Sequence, residues 1–351
     1  MSRFKLIFIG LVAIAVLHGC EHRELTEPIR KHFVRVYLDE QLRNVNYGFY
    51  DESKDKPEYR TPRMMRVALC NPTSGAVMCE EFLHEGGRDA RGNYFEGFLS
   101  AGPGVYNFMA YNFDTESAHI KNPNSFRSME VYTNPINEAE KGKLESVRSN
   151  TNKNTEVIRY EPDHVFVSAI ENVQLKDVPG IDTLKTHSGT HPTAKSVVKT
   201  YYMQVNVKGV EYVQSAVALI TGMAGSTRLH DRTMMANNVA TVYFPLRNGI
   251  TKKRNAEDVS VAYAYFNTFG KLPNEEGYIE ITFEFKTKRN TVQTETIRVT
   301  DMFNTPMVRD NQWIIIDKTI EITPPEGEDI DGGMRPGIND WEQVESGFTI
   351  G

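Results

Sequence analysis

The sequence predicts an all-β protein built from antiparallel sandwiches, and three observations carry that prediction. Apolar and polar residues alternate with a period of two in segment after segment, the mark of strands with one face in a core and one in water. The 351 residues include 18 Phe and 16 Tyr, a generous supply of the aromatics that strands favour. Turn-forming residues separate the alternating runs at short intervals, which suits sandwiches. At about 150 residues per domain, the length accommodates two of them.

Composition closes off other classes. With 40% hydrophobic and 25% charged residues, the chain has too much apolar content to be disordered. Its 25 Gly and 16 Pro are near average, which excludes collagen-like and low-complexity chains. Forty Lys and Arg against 46 Asp and Glu give a net charge of −6, an acidic balance that argues against a nucleic-acid partner.

The first segment stands apart from the fold. Arg3 and Lys5 precede Leu6–Leu17, an unbroken apolar run. It is shorter than the roughly 20 residues a bilayer span needs and has the length of a signal-peptide core. Leu17-His18-Gly19-Cys20 follows and resembles a bacterial lipobox, with His18 departing from the small or uncharged residue usual at that site. The reading is a signal peptide over 1–19, lipidation at Cys20 and a polar tether over 20–31. A single acyl chain holds a protein only reversibly. A bacterial lipoprotein cysteine carries more than one, so the attachment is stable. The mature chain then faces an oxidising or extracellular space.

The first sandwich is expected over 32–176, with strands at 33–39, 64–70, 76–83, 105–113 and 164–169 and one surface helix at about 137–148. Cys70 ends the 64–70 segment and Cys79 lies within 76–83. A two-residue turn at Ser74-Gly75 would set them opposite each other as a non-hydrogen-bonded pair, with Cα atoms about 4.5 Å apart, within disulfide range. A longer turn would shift the register and leave two buried free thiols, and the sequence leaves both alternatives open. Residues 177–196 contain Pro179-Gly180 and Thr186-His187-Ser188-Gly189-Thr190-His191-Pro192 and read as a linker or long loop.

The second sandwich is expected over 197–323. Tyr201, Met203, Val205 and Val207 alternate with Tyr202, Gln204, Asn206 and Lys208. Further strands fall at 213–221, 239–246, 259–266, 278–286, 291–299 and 313–322. In 259–266 both faces are largely apolar, so that strand should be covered on both sides. In 278–286 the odd positions are all apolar and the even ones mostly polar, so it should bury one face and wet the other. A Pro/Gly/acidic stretch then opens the terminal segment 324–351, in which Trp341, Val344, Phe348 and Ile350 form a small apolar set.

No pattern asks for catalysis. GxSxG, the phosphate-binding G-x-x-x-x-G-K-[ST], HExxH and CxxC are all missing. His187 and His191 are four apart, but Gly189 and Pro192 make their segment a loop, and solvated loop histidines are the expectation. The acidic run Glu326–Asp331 lacks the alternating ligands and central Gly of a calcium loop. Lys252-Lys253-Arg254 and Lys286-Thr287-Lys288-Arg289 read as solvated turns. No cofactor, metal or enzymatic activity is expected.

Three segments carry a resemblance. Ser100-Ala101-Gly102-Pro103-Gly104-Val105-Tyr106-Asn107-Phe108-Met109-Ala110-Tyr111-Asn112 is similar to the Gly-x-Tyr, apolar run, Tyr-Asn strand of fimbrillin-type N-terminal domains. Phe113-Asp114-Thr115-Glu116 continues it as in a related uncharacterised lipoprotein family. Ser215–Ala224, ending Gly222-Met223-Ala224, is similar to a segment of their C-terminal domains, and Ile338-Asn339-Asp340-Trp341-Glu342 to their closing segment. With the lipobox, the match runs in order along nearly the whole chain.

The chain therefore resembles the fimbrillin superfamily of surface lipoproteins from gram-negative anaerobes, which includes fimbrial anchor proteins. The resemblance implies two tandem transthyretin-like sandwiches, an acylated N-terminus, an outer-membrane location at the cell surface and a role in a fimbria-like filament. It implies no catalytic residues. The expected partners are the membrane, through the lipid, and fimbrial stalk or accessory subunits. Trp341, Val344, Phe348 and Ile350 would be offered to a partner by β-strand complementation or would pack back on their own domain. The alternative function is a surface lipoprotein that binds glycans or host ligands through an exposed aromatic platform.

Overall fold

The computed structural model describes residues 30–39, 60–148, 156–252, 258–272 and 278–324. Cys20, the signal segment, most of the tether, and Trp341, Val344, Phe348 and Ile350 lie outside the described residues, as does the acidic run. The first half forms β1 (Arg30–Asp39), β2 (Met64–Cys70), β3 (Val77–Asp89), β4 (Gly92–Ala101), β5 (Gly104–Tyr111), β6 (Ala118–Lys121) and β7 (Glu130–Thr133). Two single helical turns follow, α1 (Glu138–Lys141) and α2 (Glu145–Arg148), then β8 (Val157–Tyr160), β9 (Phe166–Leu175), β10 (Asp182–Thr183) and β11 (Thr193–Ser196). The second half forms β12 (Lys199–Lys208), β13 (Val213–Ala224), β14 (Ser226–Arg228), β15 (Val239–Pro245), β16 (Arg247–Lys252), β17 (Asp258–Thr268), β18 (Glu280–Thr287) and β19 (Val292–Arg298). A short helix α3 (Pro306–Asn311) precedes β20 (Trp313–Glu321). The protein is all-β, and every strand expected from alternation is present.

The first sheet closes on itself. Its order runs β1-β11-β9-β5-β2-β3-β4, and β4 pairs back to β1, with β10 beside the start of β1. Closure leaves an inside and an outside, and alternation decides which residue goes where. Val34, Val36 and Leu38 of β1, Met65, Val67 and Leu69 of β2, Phe95 and Leu99 of β4, and Phe108 and Ala110 of β5 fill the interior. Two further sheets, β16-β17-β12-β20 and β19-β18-β13-β15-β8, share a second core. Tyr201, Met203, Val205 and Val207 face Ala218, Ile220, Phe244, Ile281, Phe283 and Phe285 there. A small sheet, β14-β7-β6, completes the fold.

A third apolar cluster joins the halves. Ala68, Cys70, Met109, Tyr111 and Val167 come from the outer face of the first sheet, and Val131 from β7. Val198, Ala224, Leu229, Phe269 and Leu272 meet them from the second half. Strands cross the same divide. β8 pairs in parallel with β15, and β14 pairs antiparallel with β7.

Four expectations need correction. Not every pairing is antiparallel: β1–β10, β1–β11, β8–β15 and β12–β20 are parallel. Alternation has the same period in either direction, so it cannot tell them apart. The helix at 137–148 is two single turns, because Gly142 closes the first while the Asn137 side chain caps its start at Glu140 N, 2.8 Å away. Residues 177–196 are more than a loop, since β10 and β11 pair with β1 and β9. The outer face of 278–286 is not wholly wet, because Glu284 is buried under α2, accepting from Glu145 N (2.9 Å), Ser146 N (3.0 Å) and the Ser146 hydroxyl.

The cysteines follow the longer-turn alternative. Leu69, not Cys70, lies opposite Cys79, and Cys70 pairs with Val77 across a bulge. The connection is longer than two residues, with Asn71 N donating to Ala76 O and the Asn71 side chain accepting from Thr73 N and Ser74 N. The slip turns Cys70 toward the joint between the halves while Cys79 packs against the barrel core. Both are free thiols, and burial pushes Cys70 up to about 11.

Candidate functional site

The fimbrillin-like strand motif does structural work. Asn107 and Asn112 are buried in β5 and just after it, and each bonds the backbone of the β9 segment. Asn107 Oδ1 accepts from Asn172 N at 3.0 Å, and Asn112 Oδ1 from Phe166 N at 2.7 Å. The Tyr106 hydroxyl donates back to Gly102 O at 3.1 Å, and Arg66 donates to the Tyr111 hydroxyl at 2.6 Å. These bonds satisfy polar groups where a bulge and a strand end would otherwise leave them buried and unpaired.

The Gly222-Met223-Ala224 motif works similarly. Gly222 has φ +72 at a register shift in β13, and a Cβ there would also meet Ile279 Cγ1 at 3.3 Å. Its N–H donates to the Glu156 carboxylate at 3.0 Å, and that carboxylate also accepts from the Thr241 hydroxyl at 2.9 Å. Met223 then enters the core of the second half and Ala224 the joint. The bulge passes the strand from one core to another.

The outer face of the first sheet carries a ladder that the sequence did not single out. Phe33 lies opposite Phe98, Arg35 opposite Glu96 and Tyr37 opposite Tyr94. The Phe33 and Phe98 rings stand 5.7 Å apart, edge to face. The Arg35 guanidinium sits 4.2 Å over the Tyr94 ring and 5.6 Å from Phe33, and binds Glu96 at 2.6 Å. That carboxylate holds Arg35 above its ordinary pKa. Tyr37 donates to Asp89 at 2.7 Å, which with the Arg91 N–H lowers the Asp89 pKa, and Arg91 covers the Tyr37 ring at 4.1 Å. Tyr94 lies flat on Gly86, where a Cβ would come within 2.5 Å of the ring. The outward positions of β1 were legible from alternation, but their partners on β4 were not.

The sheet edges are the other surface of interest. Among the described residues β16 pairs only with β17, and β20 only with β12. Gln293 of β19 bonds Glu321 O at 2.6 Å and Thr323 N at 3.1 Å, and Lys318 of β20 pairs with Glu295. These contacts stitch β19 to β20 at one side of the second core.

A polar turn, 161–164, lies where the halves meet. Asp163 accepts from Glu116 N and Ser117 N, both at 2.6 Å. His164 meets the hydroxyls of Ser196 (2.9 Å) and Thr200 (3.2 Å), and burial lowers it to about 4. Glu161 accepts from Asn267 N at 2.9 Å, and burial raises it to about 7. Each group is held by structural partners, and nothing reactive converges on them.

His187 and His191 sit on the β10–β11 loop and bond Glu171 O (2.8 Å) and Lys185 Nζ (2.7 Å) respectively. The Lys286–Arg289 run forms the β18–β19 turn. No three His, Cys, Asp or Glu among the described residues are grouped to hold a metal ion. No helix among them is long and apolar enough to cross a membrane.

Comparison with known proteins gives these surfaces a context. A sequence family described as a domain of unknown function (DUF5119) matches residues 57–245. The chain is 23% identical over 352 residues to a Bacteroides ovatus protein named "putative fimbrium anchoring subunit Fim4B", covering 94% of this chain and 93% of that one. A solved "putative adhesin" from Bacteroides ovatus is 22% identical, covers 88% of this chain and 99% of its own, and superposes with a TM-score of 0.53. The fimbrial anchor protein Mfa2 from Porphyromonas gingivalis is 14% identical over 82% of this chain and 90% of its own, with a TM-score of 0.43.

Proposed function

For a chain that belongs to the DUF5119 family, we propose a lipid-anchored cell-surface protein that serves as an anchor or accessory subunit of a fimbria-like filament. The observation that carries this reading is the end-to-end similarity to the protein named as a fimbrium anchoring subunit, 94% of one chain against 93% of the other. The role is structural and adhesive, and the protein is not an enzyme.

Cys20 is the attachment point. Acylated there, the chain is held at the outer membrane while the body faces outward. Two transthyretin-like β domains, over 32–176 and 197–323, form that body, the first with its sheet closed on itself and the second a sandwich, with strands exchanged at 157–160 and 226–228. A filament subunit joins by β-strand complementation, in which main-chain hydrogen bonds along an edge supply affinity and side-chain pockets supply register. The β16 edge supports this reading, being paired on one side among the described residues. Trp341, Val344, Phe348 and Ile350 are the apolar positions the terminal segment would contribute.

Two variants test the proposal in cells. Cys20→Ala should move the protein from the membrane fraction to the soluble fraction; a processed variant that stays tightly attached would refute lipid anchoring. Deleting 336–351 should abolish co-purification with a filament subunit, and undiminished co-purification would refute strand donation by the tail.

A further inference from the structure

We propose that the outward aromatic face of β1, β3 and β4 lies against the lipid surface to which the N-terminus is attached. The inference rests on the Cys20 reading for its geometry. Phe33 and Phe98 pair across β1 and β4 with rings 5.7 Å apart. On β3, His84 lies opposite Glu96, so the same antiparallel register brings Phe82 beside Phe98. The backbone agrees, since a Cβ on Gly97 would stand 3.3 Å from Phe82 O. The Phe82 ring in turn meets that of Phe113 at a tilt, with centroids 5.7 Å apart. Phe98 is 46% exposed, Phe82 47% and Phe113 40%, and Ile181, next to the start of β10 beside β1, is 63% exposed. Contiguous apolar surface of this kind marks an interaction site rather than chance exposure.

The attachment point selects the occupant. β1 begins at Arg30, ten residues beyond Cys20. Ten residues span about 34 Å at most when fully extended, so the lipid cannot be farther than that from the start of the strand. Phe33 is three residues beyond Arg30, so this face lies within reach of the bilayer at the end of the tether. Its chemistry suits the layer where acyl carbons meet headgroups, because aromatic rings alternate there with cationic side chains. Lys31 is exposed on the same side of β1 as Phe33, Arg35 lies between Phe33 and Tyr94, and Arg66 lies opposite Phe82. Arg35 and Arg66 are already paired with Glu96 and Glu80. The face is thus close to electrically neutral, and ring insertion rather than net charge drives the contact.

The test separates this contact from the lipid anchor. A Cys20→Ser chain that begins at residue 20, without the apolar 1–19 segment, is floated with phosphatidylcholine vesicles and with vesicles containing a quarter phosphatidylglycerol. It should still partition weakly, with less than threefold dependence on the anionic lipid. Adding Phe82→Ser and Phe98→Ser should lower partition more than tenfold, with an unchanged thermal unfolding midpoint as the fold control. In the lipidated chain on vesicles, amides of 30–37 and 94–100 should exchange more slowly than in detergent. Equal partition by the Phe variant, or no added protection, overturns the proposal, even where mass spectrometry shows Cys20 acylated. So does loss of self-association or of glycan binding in the Phe variant with vesicle partition unchanged, since the face would then serve a second copy or a saccharide. If Cys20 carries no acyl group, the anchoring reading fails by that mass, while the partition of the Cys20→Ser chain still judges the face.

Discussion

Glu161 and His164 sit three residues apart at the meeting of the halves and respond to pH in opposite senses. Folded, Glu161 keeps its proton up to about 7, whereas its ordinary value is 4.5. The unfolded chain therefore releases that proton first as pH rises, and stability from this group is lost between about 4.5 and 7. His164 is held neutral down to about 4 against an ordinary 6.5, so its contribution is lost as pH falls through that window. The two slopes oppose each other where they overlap. Glu161→Gln removes one of them while keeping an acceptor for Asn267 N. Urea unfolding from pH 4.5 to 8 should show the variant gaining on the order of 2 kcal/mol over the wild type at pH 8. It should also show the variant losing stability on acidification below 6.5 more steeply than the wild type does. An unchanged profile would mean that Glu161 ionises freely in the folded protein.

At the scale of elements, β8 shows how a four-residue strand survives. So short a segment has too few ladder bonds to hold alone. It runs parallel to β15, Pro135 bridges to Arg159, and Arg159 donates to Thr133 O. Just before it, Glu156 ties Gly222 N and the Thr241 hydroxyl together. Glu156→Ala leaves the Gly222 N–H without that acceptor, at a cost of about 1–3 kcal/mol. Amides of 157–160 should lose exchange protection ahead of the rest of the sheet; retained protection would show that the strand pairing suffices without Glu156. β8 escaped the sequence reading because four residues establish no period. β4 escaped for another reason. Tyr94, Phe95, Phe98 and Leu99 are spaced at one, three and one, which is not alternation, because the strand carries apolar residues on both faces with Gly97 between them.

At the scale of the whole molecule, the joint between the halves sets how the protein unfolds. Phe126, Val131 and Leu229 pack there with Phe269 and Leu272, so neither half keeps its outer apolar surface dry without the other. Phe269→Ala should cost about 3–5 kcal/mol and lower the unfolding of both halves together. Calorimetry should show one cooperative transition in wild type and variant, with exchange protection falling in both cores. Loss confined to 197–324 would show that the halves fold independently.

The sequence by itself determined the strand class, the inward residues of the strands that alternate cleanly, the turns rich in Gly and Pro, and the absence of a catalytic pattern. These are local properties, because period-two alternation follows from the geometry of a single strand. Only the tertiary structure decided which strand lies beside which. It closed the first sheet into a ring, set four pairings parallel, slipped Cys70 to the face opposite Cys79, buried Glu284 under α2 and lined up Phe33, Phe98 and Phe82 on one outer surface. Pairing and register depend on residues far apart in the chain meeting under one shared core, and no window of sequence contains both partners.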